Sequence, residues 1–209
     1  MSSYPTSQDV LDDLGDKVVN ALATALDRAS ADLREYRAWK PGHVAAMTKR
    51  GLANYLHDRI MDHVSQLLDD DSSVHVPRTE PTRDITIGLR YRIRIKKHDN
   101  VGRVATYPTQ GALGFFLQTP TLLGLIGLGE TKLCVGYEWD NDLGVMARSV
   151  VSLHDGYEDP PVWVVDLPAA TPQAGTGVTV PVPPAIGPRA PVIDISPKLG
   201  DNREENEDQ

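Results

Sequence analysis

The stretch Ile85-Thr-Ile-Gly-Leu-Arg-Tyr-Arg-Ile-Arg-Ile-Lys-Lys-His98 decides how the rest of the chain is read. Ile85, Ile87, Leu89, Tyr91, Ile93 and Ile95 take alternate positions, and Arg90, Arg92, Arg94 and Lys96 take even positions in the same alternation. A period of two, carried by β-branched and aromatic residues, is the pattern of a half-buried strand. Read as one strand, the stretch buries its apolar face and displays a basic row roughly 20 Å long, at about 3.3 Å per residue. Lys97 extends that row, and Arg83, His98 and Arg103 flank it.

Upstream, the period changes to three and four. Leu11, Leu14, Val18, Leu22, Ala25, Ala29, Leu33 and Tyr36 form one apolar stripe, which predicts a helix over residues 7–39. Thr6-x-x-Asp9 opens it as a capping box, and Pro41-Gly42 closes it. Val44, Leu52, Leu56, Ile60, Val64 and Leu67 or Leu68 predict a second helix over 43–68, with Gly51 weakening its middle. Asp69-Asp70-Asp71 disfavours continuation, because the C-terminal end of a helix repels acids. A short turn between the two makes an αα-hairpin.

Downstream, Pro108 to Gln118 reads as a short helix, and the glycine-rich run Thr121 to Gly129 as a buried loop. Val74–Val76, Lys132–Trp139, Val145–Leu153 and Val162–Leu167 read as further strands, with Asp140-Asn-Asp-Leu-Gly144 as a hairpin loop. The expected fold class is α+β: the helical hairpin packs on one face of a four- to five-stranded antiparallel sheet. Residues 1–6 are expected to be disordered, 7–168 to form a single domain, and 169–209 to be a disordered tail rich in proline and acid. Within that tail Val192-Ile-Asp-Ile195 is the one segment apolar enough to dock. The domain thus divides into a helical part, 7–68, and a sheet part, 74–168.

The 209 residues carry 21 Lys and Arg against 29 Asp and Glu, a net charge of −8. The distribution is uneven: residues 74–107 hold eight basic and three acidic side chains, and 108–168 hold two and eight. A basic row beside an acidic region either neutralises itself across the sheet, through Glu138 or Asp140, or meets an anion from outside. No run of about eighteen apolar residues predicts a membrane span, and no secretory leader is evident. The single cysteine, Cys134, excludes an internal disulfide framework and suits a reducing cytoplasm.

Arg90, Arg92, Arg94, Lys96 and Lys97 are therefore the candidate anion-binding residues, since a strand face spaces cations along a phosphate backbone. A metal-dependent nuclease is the enzymatic alternative: Glu130-Thr-Lys132 matches an acid-x-Lys pair, with Asp84 or Asp99 as the distant acid. His57-Asp58, with His43, Asp62 and His63 nearby, is a weaker metal pattern, because His57 and His63 face different sides of a helix. Cys134 with His98 or His154 is a nucleophile-and-base pairing, against which a lone strand cysteine reads as a small core residue. Gly124, Gly127 and Gly129 lack the Lys-Ser/Thr of a phosphate loop. No catalytic residue, metal ligand or cofactor is expected.

The segments Tyr91–Gln118, Val135-Gly-Tyr-Glu-Trp139 and Val162-Trp-Val-Val-Asp-Leu167 resemble bacterial proteins encoded beside transcriptional regulators and phage-defence or toxin–antitoxin genes. That resemblance implies an interaction protein and assigns no site residue. The expectation is a non-enzymatic cytoplasmic protein that presents a basic strand face to nucleic acid or to an acidic protein surface.

Overall fold

The computed structural model describes residues 4–77, 83–118 and 129–169. Helix α1 spans Ser7–Trp39, a short α2 spans Pro41–Ala45, and α3 spans Lys49–Leu67. The capping box at Thr6 and Asp9 is present. Gly15 interrupts α1 at φ +77°, so the helix kinks in a conformation that only glycine adopts without strain. The predicted second helix is two. Thr48 accepts a hydrogen bond from Gly51 N–H and starts α3 afresh, so Gly51 sits in a first turn and weakens no helix middle.

Six strands follow: β1 Val74–His75, β2 Ile85–Ile87, β3 Tyr91–His98, β4 Thr131–Asp140, β5 Val145–Leu153 and β6 Trp163–Asp166. They lie side by side in sequence order. The sheet is mixed. β3 and β4 run parallel, and every other neighbouring pair is antiparallel. This corrects the expected antiparallel sheet of four or five strands. The connection from Asp99 to Glu130 is the cause: a parallel pair needs a crossover, and this one carries helix α4, Gln110–Phe116.

The deciding stretch is also two strands, not one. Gly88, at φ +54°, turns the chain through Leu89 and Arg90, and Ile87 pairs with Tyr91. Leu89, expected on the buried face, is at the turn and 91% exposed. Arg90 leaves the row for the same reason, so the row on β3 shortens to Arg92, Arg94 and Lys96, about 13 Å at strand spacing.

The main core lies between the helices and one sheet face. Val10, Leu14, Val18, Leu22, Leu26 and Leu33 of α1 and Leu56, Ile60 and Val64 of α3 pack on Ile85, Ile93, Ile95, Leu133, Val135, Val151 and Leu153. The opposite face, expected to be open, is covered by the crossover. Val104, Phe115 and Phe116 pack there on Cys134, with Tyr157 at the margin. Each fully buried Phe is worth about 2–3 kcal/mol. The amino-terminal residues are tied to the domain as well: Tyr4 donates to Asp155, and Pro5 O accepts from Trp163 Nε1. No described helix is long and apolar enough to cross a membrane. The run Thr121–Leu128, most of the loop before β2 and residues 170–209, with Val192–Ile195, lie outside the described residues.

Candidate functional site

The covered face explains where the cations go. Arg90 Nη1 lies 2.6 Å from Asp13 Oδ2 on α1, the carboxylate that also accepts from Tyr91 OH. Arg92 Nε donates to Glu130 Oε1 at 2.8 Å, just before β4. Arg94 makes a bidentate pair with Asp84, at 2.7 and 2.8 Å, just before β2. Its guanidinium carbon also lies 4.0 Å from the centroid of the Phe115 ring. With side chains only 12% and 9% exposed, Arg94 and Asp84 form the most enclosed arginine–carboxylate pair among the described residues.

Three of the five candidate cations are thus matched by carboxylates within the chain. The partners are not those expected: Glu138 binds Arg148 on β5, and Asp140 accepts N–H groups of its own hairpin loop. Lys97 points to the helical face, with its Nζ 5.4 Å from the centroid of the Trp139 ring. Burial and the neighbouring Lys49 lower its pKa. Of the flanking residues, Arg83 pairs with Asp58 and His98 is buried.

Lys96 differs. Its Nζ donates to Thr106 Oγ1 at 3.1 Å, and among the described residues it has no carboxylate partner. Burial, with the Arg94 guanidinium beside it, pulls its pKa below the ordinary lysine value. The reason lies in strand length. β2 pairs only with Tyr91–Ile93, and the crossover returns to the β3 edge at the His98–Val104 bridge. Between those points that edge has no strand beside it among the described residues, and a cleft of about 570 Å³ opens there. Asn54, His57 and Asp58 of α3 form one wall, Thr106, Tyr107 and Thr109 another, and Arg94 and Lys96 line it from the strand. Burial and the Arg83 guanidinium keep the His57 pKa below that of an ordinary imidazole. With Arg94 balanced by Asp84 and Arg83 by Asp58, the cleft holds one unbalanced positive charge among the described residues.

The other sequence candidates fall apart in space. Glu130 is occupied by Arg92, while Lys132 Nζ donates to the carbonyls of Gly114 and Leu117. Asp84 is committed to Arg94, and Asp99 Oδ1 accepts the N–H groups of Val101 and Arg103. His63 contacts Asp32, and His57 lies 3.7 Å from an Asp58 that Arg83 also holds. Among the described residues no three acid, His or Cys side chains gather as metal ligands. The Cys134 thiol is pushed up to about 12 by burial, which keeps it protonated.

One cluster escaped sequence reading. Ser152 Oγ sits 2.9 Å from His98 Nε2 and 3.0 Å from His154 Nε2, all three buried. In sequence, His98 and His154 are each a candidate base for Cys134 but are not linked to each other, and the further signal is a serine inside the otherwise apolar run Val150–Leu153. Burial drops both imidazoles to about 4, and for His98 the nearby His154 adds to the effect. No family model, curated protein or solved structure matches the chain.

Proposed function

We propose that the chain is a binding protein for an anionic partner, and that one carboxylate or phosphate group of the partner enters the cleft beside Lys96. The carrying observation is the ammonium of Lys96, partly buried and without an ion-pair partner among the described residues. A buried cation without a counter-charge is costly, and an incoming anion removes that cost. Thr106, Thr109 and Asn54 line the same cleft and supply donors. The pairing of Arg90, Arg92 and Arg94 favours a single acidic group over a continuous nucleic-acid backbone, which needs several free cations. An acidic protein partner also agrees with a component of a phage-defence or toxin–antitoxin locus.

Titration with inorganic phosphate and with a glutamate-rich peptide, followed by amide shifts of Lys96 and Thr106, tests this reading. Binding is expected to weaken with salt at a slope near that of one contact, and to fade as pH rises through the lysine pKa. Lys96→Gln, which keeps a donor toward Thr106, is expected to lose at least about tenfold in affinity. Thr106→Asp places a carboxylate against the ammonium and is expected to do the same. Unchanged binding by both variants, or none by the native chain, refutes the proposal.

A further inference from the structure

A second cleft lies against another face of the same stretch of α3 and shares no residue with the first. Asp32, Glu35, Tyr36 and Trp39 stand at i, i+3, i+4 and i+7 near the end of α1, and so share one helix face. Tyr55 and Arg59, at i and i+4 on α3, face them, and the six line an open cleft of about 480 Å³. The Tyr36 ring centroid is 6.3 Å from that of Trp39 and 5.4 Å from that of Tyr55, with the planes tilted by 42° and 32°. Trp39 is 73% exposed, an apolar surface left uncovered on the last residue of the helix.

The charges around these rings are unequal. Arg59 is fully engaged by Asp32 and Asp62, and Asp32 also contacts His63. Glu35 is exposed and has no hydrogen-bond or ion-pair partner among the described residues. The carbonyl end of α1 adds partial negative charge at the same place. One ammonium is already drawn there: Lys40 Nζ lies 4.8 Å from the Trp39 ring centroid.

We infer that this cleft binds an alkyl-substituted ammonium group, held among the Tyr36, Trp39 and Tyr55 rings with Glu35 as its counter-charge. Ring faces carry negative electrostatic potential, and an alkylated ammonium reaches them at low desolvation cost because water holds it weakly. Mutually tilted rings suit a tetrahedral head, whereas a planar guanidinium stacks on a single face. Lys40 is then an internal competitor for the Trp39 ring.

The full chain is titrated with tetramethylammonium chloride, against ammonium chloride and sodium chloride at matched ionic strength. The readouts are the Trp39 indole N–H and the Tyr55 ring protons. A saturable shift is expected, with a Kd on the order of 10 mM, and ammonium is expected to bind at least about fivefold more weakly. Trp39→Ala and Glu35→Gln, both at exposed positions that leave the fold intact, are expected to weaken binding at least about threefold, read on Tyr55. Lys40→Ala is expected to strengthen it. No saturable shift, equal response to all three salts, or variants that bind like the native chain would each overturn the inference.

Discussion

Acid is expected to unfold this domain through two imidazoles. His98 and His154 flank Ser152 Oγ, and a hydroxyl that donates to one ring accepts the N–H of the other. Both bonds to the hydroxyl are made when the two rings are neutral, while His98 Nδ1 is buried without a partner among the described residues. Burial holds both at about 4 in the folded chain, against an ordinary value near 6.5 once unfolded. The unfolded chain therefore binds more protons between pH 6.5 and 4. Stability is fully present above that window and falls as pH drops through it. At pH 5 each ring is expected to cost about 2 kcal/mol, and the two together about 4 kcal/mol, a large share of a typical domain's total. Urea unfolding from pH 8 to 4.5, followed by circular dichroism, measures the slope. Between pH 6.5 and 5 few carboxylates titrate, so the interval isolates histidine. The double variant His98→Gln, His154→Gln keeps an amide where each Nε2 stood and is expected to flatten the slope by most of that amount. A native chain equally stable at pH 7.5 and pH 5, or a double variant with an undiminished slope, refutes the reasoning.

Four substitutions probe the packing around the sheet, each read by denaturant unfolding. Arg94→Ala strands the Asp84 carboxylate and is expected to cost about 3 kcal/mol, whereas Arg92→Ala, at a more exposed pair, is expected to cost under about 1 kcal/mol. Gly136→Ala drives a methyl group into Lys96 O on the neighbouring strand, so it is expected to cost about 3 kcal/mol or more and to shift the Lys96 amide signal. Phe116→Ala empties the smaller core under α4 and is expected to cost about 3–4 kcal/mol while the helical layer keeps its far-ultraviolet signal.

Helix α1 was legible because its stripe repeats without a break from Leu11 to Tyr36, and β4, β5 and β6 because alternating apolar residues end at hairpin or proline signals. The kink at Gly15 was not, since a glycine within a stripe leaves no mark on periodicity. Gly88 hid in the same manner. It fell where the alternation allowed a small residue, and only its positive φ divides the basic stretch into β2 and β3. The short helix of the crossover was legible within residues 108–118, but the parallel pairing of β3 and β4 was not, because strand patterning carries no direction and an antiparallel sheet was expected. The cations were legible as residue types, and their partners were not. Asp13, Asp84 and Glu130 come from three separate segments, and charge pairing across a fold carries no period.

The position of the unbalanced charge follows from a mismatch of lengths. Strand β3 has eight residues, and its neighbour β2 has three. Alternate residues on one strand face lie about 6.6 Å apart, so successive cations meet different elements. Arg92 meets the acid that precedes β4, and Arg94 meets the acid that precedes β2. Lys96 lies beyond the reach of β2, where the crossover supplies the hydroxyl of Thr106. An ammonium there keeps donors that a guanidinium fork spends on a carboxylate, and it tolerates a drop in pKa that arginine does not. A strand face that reads as uniformly basic is therefore a graded one: its arginines pair with carboxylates around the sheet, and its lysine stands where the covering runs out, the position we propose for the incoming anion.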